Sequence, residues 1–413
     1  MDGTLARPAA TTFPIGFKEF VVLIASLMAL NALAIDAMLP ALPAMGDALD
    51  IVHENDRQWI IAAYVLGLGA AQLFWGPLAD RFGRRRVLLA GVASYVLFSV
   101  AAALAGSFAM MIAARVMQGT SAAATRVLAV SIVRDRFAGR AMAKVMSLTF
   151  IVFLAVPMLA PTLGQAILLF APWRWIFGLL ALSGLAVLIW VFIRLPETLH
   201  PEHRLEISLQ RWKVAWLTVV SERMSVGYSL ALMLLFGSLM GFINSSQQIF
   251  FDVFGLPQMF PLIFAALVSM MAVTSLLNAR FVEEVGTRRI SHAGLIGFTA
   301  FAAVHAGVAI AGLETIWTFA VLQSLMMACF GLSSSNFGAM AMEHMGSLAG
   351  TAASVQGAVV TIGGALLGLL IGQQFDGTTT PITLGFTLLG ASALVIVLIT
   401  EKGRLFRPQN IRA

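Results

Sequence analysis

Apolar residues in this chain do not alternate with polar ones; they run. Largely uncharged stretches recur at 18–40, 57–79, 86–107, 109–133, 145–170 and 173–194, and again at 226–250, 258–280, 290–312, 316–340, 350–373 and 382–400. Each reaches the roughly 20 residues that a helix needs to cross about 30 Å of hydrocarbon. Twelve membrane-spanning helices are predicted. The longest interruption, 195–225, is the one with soluble-protein composition: Glu197, His200, Glu202, His203, Arg204, Glu206, Arg211 and Lys213 fall in it. The predicted organisation is a tail at 1–17, a six-helix bundle at 18–194, a polar linker at 195–225, a second six-helix bundle at 226–400 and a tail at 401–413.

Composition agrees with lipid as the main neighbour. The 413 residues are 59% apolar and 11% charged, against about a quarter charged in soluble domains. The first 17 residues lack the charged start, short apolar run and small-residue cleavage site of a secretory signal. Cys329 is the single cysteine, so an intrachain disulfide or a cysteine metal cluster is excluded. No metal, cofactor or catalytic residue is expected.

Charge placement sets orientation. With the N-terminus inside, 22 of the 26 Lys and Arg residues fall on the inner side and only Arg57 and Arg174 on the outer. Cytoplasmic loops carry such an excess, so both termini are expected to be cytoplasmic. The net charge of +6 therefore belongs to topology and not to a nucleic-acid surface. Two loops also repeat. Asp80-Arg81-Phe82-Gly83-Arg84-Arg85-Arg86 follows the second predicted helix, and Glu283-Glu284-Val285-Gly286-Thr287-Arg288-Arg289 follows the eighth. Acid, glycine and the last two basic residues align, as in transporters built from two parallel repeats.

Three charges lie inside predicted helices: Asp36, Arg115 and Arg126. Intramembrane charge costs roughly 3 kcal/mol on insertion scales and is by default functional. Asp36 is near the outer end of the first helix and Arg115 near the outer start of the fourth, within reach of each other. Eleven residues at 100° each return Arg126 to the face of Arg115, roughly 16 Å deeper, with Gln118 on the same side. Asp36 is read as a proton-carrying acid and Arg115 as the group that tunes it, since burial and a nearby cation act in opposite directions on a carboxyl. A static Asp36–Arg115 bridge is the structural alternative. Asp36, Tyr64, Arg115, Gln118, Arg126, Asn244, Gln247 and Asn336 are candidates to contact a substrate. Asn244, Gln247 and Asn336 could equally bridge helices. His292 and His305, on the ninth helix, are read as packed or at a water edge.

Several motifs carry a family resemblance. Gly76-Pro77-Leu78-Ala79-Asp80-Arg81-Phe82-Gly83-Arg84-Arg85 resembles the signature of the loop between helices 2 and 3 in the major facilitator superfamily. Arg115-Val116-Met117-Gln118-Gly119 resembles the helix 4 signature of its drug–proton antiporters, and Pro157 to Gly164 their helix 5 signature. Asp36 with Leu39-Pro40 is similar to the helix 1 signature of the twelve-helix exporters. Leu195-Pro196-Glu197-Thr198-Leu199 is similar to the bicyclomycin and chloramphenicol resistance subfamily. Ala160 and Gln165 replace two glycines of the helix 5 pattern, and Glu284 stands where the first loop has Arg81.

The resemblance implies an all-α fold of two pseudo-symmetric six-helix bundles in a bacterial inner membrane. It implies proton-driven export of lipophilic drugs or small metabolites by a monomer, with protons, a small molecule and the lipid bilayer as partners. A proton symporter for a nutrient is the alternative on the same fold. Gly76, Asp80, Arg81, Gly83, Arg84 and Arg85 would latch the inner gate, and Pro157, Pro161 and Gly164 would shape helix 5 for antiport.

Overall fold

A computed structural model describes residues 15–200, 202, 204, 209–346 and 349–407. His203 and Glu206 of the predicted linker, most of the predicted N-terminal tail and residues 408–413 lie outside the described residues. The first half comprises α1 (Phe17–Asp36), α2 (Leu42–Ala48), α3 (Trp59–Phe82), α4 (Arg84–Ala103), α5 (Phe108–Arg136), α6 (Gly139–Leu168) and α7 (Arg174–Arg194). After α8 (Leu209–Ser221), the second half holds α9 (Arg223–Gln248), α10 (Phe260–Val285), α11 (Thr287–Ile310), α12 (Ile316–Ala341), α13 (Ala349–Gly372) and α14 (Thr380–Thr400). Among the described residues, twelve helices are long and apolar enough to cross a membrane. Large apolar side chains such as Leu182, Phe192, Trp317 and Leu388 stand on the outside, which suits lipid and not water.

Two elements depart from the sequence reading for identifiable reasons. The first helix stops at Asp36 and does not run to 40. Pro40 and Pro43 lack an amide hydrogen and disfavour helix in the residue before each, so the chain turns through Leu39–Ala41 into the short α2. The linker is not all loop: α8 is amphipathic and sets Val219 into a small apolar cluster with Met345, Ala352 and Val355, against Leu73 of α3. The linker helix thus joins an apolar cluster that draws on both halves.

Odd and even crossings alternate direction, so one face of the molecule carries the arginine-rich loops (the basic face) and the other does not (the far face). Bare helix surfaces bring backbones together within each half. A side chain on Gly119 of α5 would strike the Tyr64 carbonyl of α3, and one on Gly67 would strike the Val116 carbonyl. In the second half a carbon added to Gly331 of α12 would lie 2.6 Å from the Met271 carbonyl of α10. Small residues are what membrane helices use for such close approach.

The halves meet along α3 and α13. Gln72 Nε2 donates to Thr361 Oγ1 at 3.1 Å, and a carbon on Gly69 would come within 2.7 Å of Ile362. At the far face the contact becomes a clasp of neutral amides. Gln58 Nε2 donates to Gln248 Oε1 (2.7 Å) and to the Gly372 carbonyl (3.0 Å). Gln248 Nε2 donates to Asn55 Oδ1 (2.7 Å). Asn55 Nδ2 donates to the carbonyls of Gln373 and Phe375 (3.1 and 3.0 Å), and Gln373 Nε2 returns a bond to the Asn55 carbonyl (2.7 Å). Residues 240–250 of α9 and its continuation are all buried. The far face is closed.

Candidate transport site

Asp36 is the last residue of α1 and 4% exposed. Its Oδ1 is buried and has no hydrogen-bond partner. It sits at the helix end where carbonyls accumulate partial negative charge, which disfavours a carboxylate. Helix α6 closes over this end. A side chain on Gly164 would strike the Ala37 carbonyl and come within 3.2 Å of Pro40. The glycine of the helix 5 motif is therefore what allows α6 to cover the acid. Pro157 and Pro161 lie one turn apart within a continuous α6.

The static Asp36–Arg115 bridge, the structural alternative, is not made. Arg115 is fully buried, and its Nη2 donates to the Ala34 carbonyl (3.0 Å), its Nε to the Ile60 carbonyl (2.9 Å) and its Nη1 to Gln118 Oε1 (2.6 Å). Its guanidinium carbon lies 4.5 Å from the centre of the Tyr64 ring, a cation–π contact. Gln118 Nε2 continues to Ser99 Oγ at 2.7 Å. A guanidinium is always charged and offers five donors, so backbone carbonyls at the end of α1 and the start of α3 satisfy it without a carboxylate. Arg115, Gln118 and Tyr64 tie α1, α3, α4 and α5 together. Their polar atoms are engaged in holding these helices in this conformation.

Arg126 behaves differently. It shares its helix face with Arg115 by register, yet is exposed. Val130 and Arg134, at successive turns toward the basic face, are exposed too, whereas Ala122 and Gly119 toward the far face are buried. Arg126, Val130 and Arg134 thus form an exposed stripe that runs to the basic face and ends at Ala122. Beside Arg126, Thr125 Oγ1 accepts from Asn31 Nδ2 (2.9 Å), and Asn31 Oδ1 accepts from the Tyr64 hydroxyl (3.3 Å). Asn31 is absent from the sequence-based candidates. It lies five residues before Asp36, and a lone asparagine in an apolar run is its only signal.

In the second half, Asn336 is a helix bridge. Its Nδ2 donates to Asn278 Oδ1 (2.8 Å) and to the Leu332 carbonyl (2.8 Å). Asn244 and Gln247 are buried, and Asn244 Oδ1 and Gln247 Nε2 have no partner. His305 and His292 are packed as expected, but neither is alone. His305 Nε2 lies 2.5 Å from Glu314 Oε1, whose other oxygen accepts from Thr379.

The loop motif closes on its own half. Gly83, at φ 99°, gives the turn a geometry that side chains resist. Arg84 then pairs with Asp80 (2.6 Å) and with Asp135 at the end of α5 (3.0 Å). Glu197 accepts the backbone N–H groups of Arg84 (2.8 Å) and Arg85 (3.3 Å) at the start of α4, where the dipole favours an anion. Arg85 reaches the Phe192 carbonyl at 2.6 Å. Arg81 is exposed, and Gly76 faces Ser354 of α13. The second loop has a counterpart. Gly286 has φ 95°, and Arg288 pairs with Glu343 after α12 (2.9 Å) and with Glu401 after α14 (2.9 Å). Glu401 also accepts from the Tyr228 hydroxyl (2.5 Å), which lies 3.0 Å from His292 Nε2. His292 Nδ1 accepts from the Phe406 N–H at 3.1 Å.

This architecture matches known proteins over nearly its whole length. The family model for the Major Facilitator Superfamily matches residues 24–368. The chain is 30% identical to a "Bicyclomycin resistance protein homolog" of Haemophilus influenzae, over 92% of this chain and 94% of that protein. It is 30% identical to the multidrug resistance protein MdtL of Escherichia coli over 58% of this chain and 60% of that one. A crystal structure of a D-xylose–proton symporter superposes with TM-score 0.73 at 14% identity, covering 95% of this chain and 99% of that one. The human organic anion transporter MFSD10 gives TM-score 0.65 at 18% identity, covering 92% and 98%. These structures share the fold. The chain belongs to the Major Facilitator Superfamily, a family of multi-pass membrane transporters rather than enzymes.

Proposed function

We propose that this transporter exports lipophilic drugs or small metabolites in exchange for protons, by rocking its two halves about a central site. The supporting observation is Asp36: a buried carboxyl with an unpartnered oxygen, at a helix end, under the motif helix α6. A carboxylate shut in without a partner costs free energy, and a proton taken up there removes that cost. When the far face parts, the same group meets water on the outer side and takes up that proton, and it gives it up toward the basic face when the site next opens there. Arg126, on the exposed stripe that runs to the basic face, meets the substrate on the opposite stroke. Arg115 holds the scaffold around the acid without pairing to it. In this reading the basic face is cytoplasmic, the protein is a monomer of a bacterial inner membrane, and the proton gradient supplies the energy. Relatives named for bicyclomycin and multidrug resistance favour export of drug-like compounds.

The test uses everted vesicles with an acid interior and a panel of drug-like compounds. Some compounds should dissipate the gradient with wild type, and Asp36→Asn should abolish that response while leaving the protein folded. Proton-coupled export that survives Asp36→Asn would remove Asp36 from the mechanism.

A further inference from the structure

The second half conceals an amide that its own packing does not explain. Gln323 lies on α12, fully buried, and neither its Oε1 nor its Nε2 has a hydrogen-bond partner. Its helix neighbours are Leu322, Leu325, Met326 and Met327, so an apolar side chain would satisfy packing at this position. An unpaired buried polar group costs about 1–3 kcal/mol, and a carboxamide has two.

Register shows what stands opposite. One turn nearer the far face, the Phe319 ring meets Phe250 and Phe254 on the continuation of α9, with centroids 5.8 and 5.5 Å apart. Helices α9 and α12 run antiparallel. One turn toward the basic face from the Phe319–Phe250 contact therefore brings Gln323 level with Ser246 and Gln247. Gln247 is 1% exposed and its Nε2 has no partner. Ser246 Oγ donates only to Ile243 in its own helix, at 2.9 Å, and keeps its acceptor capacity. Two carboxamides and a hydroxyl share one level beneath an aromatic roof.

We propose that Gln323, with Gln247, forms an amide-recognising subsite for substrates that present a donor and an acceptor side by side: lactams, primary carboxamides and ureido groups. One edge of a carboxamide presents an N–H beside its C=O in a plane, and a group with the same pair in reverse order completes both. A site built to hydrogen-bond a ligand rejects the analogue that lacks the bond far better than an apolar pocket does. The Phe319 and Phe250 rings cover the apolar remainder of such a ligand. Gln323 has no exposure in this conformation, so the ligand reaches it as the halves rock. This inference rests on the export reading and names its substrate class.

The experiment compares three probes in everted vesicles and in binding to the full-length detergent-solubilised chain. They are a phenyl-substituted six-membered lactam, its N-methyl analogue, and tetraphenylphosphonium. Wild type should prefer the lactam to its N-methyl analogue. Gln323→Leu should weaken the lactam about tenfold, in line with the loss of one to two buried hydrogen bonds, weaken the N-methyl analogue less because it keeps only its carbonyl, and leave tetraphenylphosphonium unchanged. Gln323→Leu should also unfold at the same or a higher temperature, because it removes an unpaired amide. Equal weakening of all three probes, or a lower unfolding temperature with lactam preference intact, would overturn the subsite and make Gln323 a packing residue. Transport of tetraphenylphosphonium alone would overturn the subsite and keep export. A wild-type chain that moves none of the three would overturn both.

Discussion

The two halves anchor the start of an equivalent helix in different ways. In the first, Arg84 follows Gly83 directly and is clasped by Asp80 and Asp135, while Glu197 takes backbone N–H groups. In the second, Arg288 sits one position further into its helix, and the acid after the last helix, Glu401, takes the arginine side chain itself. The first cluster is partly open, with the Asp80 side chain 34% exposed; in the second, Glu401 is 2% exposed and is bonded onward to Tyr228. The repeat preserves an arrangement of charge rather than a set of residues. A cation at a helix start is held by an acid from the end of one helix, with a second acid supplied by the chain leaving the half. The residues and their register are free to drift while that arrangement is kept.

The largest effect should come from the copy that seals one of its acids, Glu401, away from solvent. Arg288→Ala leaves Glu401 and Glu343 without their cation and should cost about 3–5 kcal/mol, read as a large fall in unfolding temperature in detergent. Arg84→Ala should cost about 1.5–3 kcal/mol, because solvent compensates Asp80. Equal losses would mean that burial does not distinguish the clusters. Next are the bare crossings. Gly119→Ala drives a carbon into the Tyr64 carbonyl and should destabilise by about 1–3 kcal/mol. Gly331→Ala should cost less, since part of its obstruction is the Thr274 hydroxyl, which rotates. A neutral Gly119→Ala would show that α3 and α5 have room to part.

The smallest effect concerns how each half begins. Gly16 precedes α1 with no side-chain cap, whereas Glu222 caps α9 by accepting from the Ser225 N–H at 2.5 Å. Glu222→Ala should cost about 1 kcal/mol. Burial pushes the Glu222 carboxyl up, but the N–H groups of Ser225 and Met224, with His344, outweigh it and leave it below its ordinary value. Its contribution is therefore present above the ordinary carboxylate range, near about 4.3, and fades as pH falls through the lowered value. The unfolding-temperature gap between wild type and Glu222→Gln should narrow on acidification from about pH 6 to about pH 3. A constant gap would remove the linkage.

Sequence made the fold legible because a bilayer imposes a length on every helix, and because arginines crowd one face. It also located the loop motif, whose glycine and charges are local in the chain. It marked Asp36 and Arg115 as buried charges but not what Arg115 bonds, since backbone carbonyls at the end of α1 have no sequence signature. Tyr228, Glu401 and Phe406 were invisible for a related reason: each looks ordinary in its own segment, and only the packing of α9, α11 and α14 unites them. Gln323 hid in an apolar run, where one amide is easily read as a tolerated polar residue.

The far-face clasp of Asn55, Gln58, Gln248 and Gln373 contains no charge, whereas the basic-face clusters are made of ions. Mobile ions screen charges beyond about 8–10 Å at ordinary ionic strength and leave amide contacts almost untouched. Raising salt should therefore loosen the two ends of the molecule unequally. Those ionic clusters each lie within one half, whereas the amide clasp joins the two, so the rate of the far-side opening step should be one that salt fails to move.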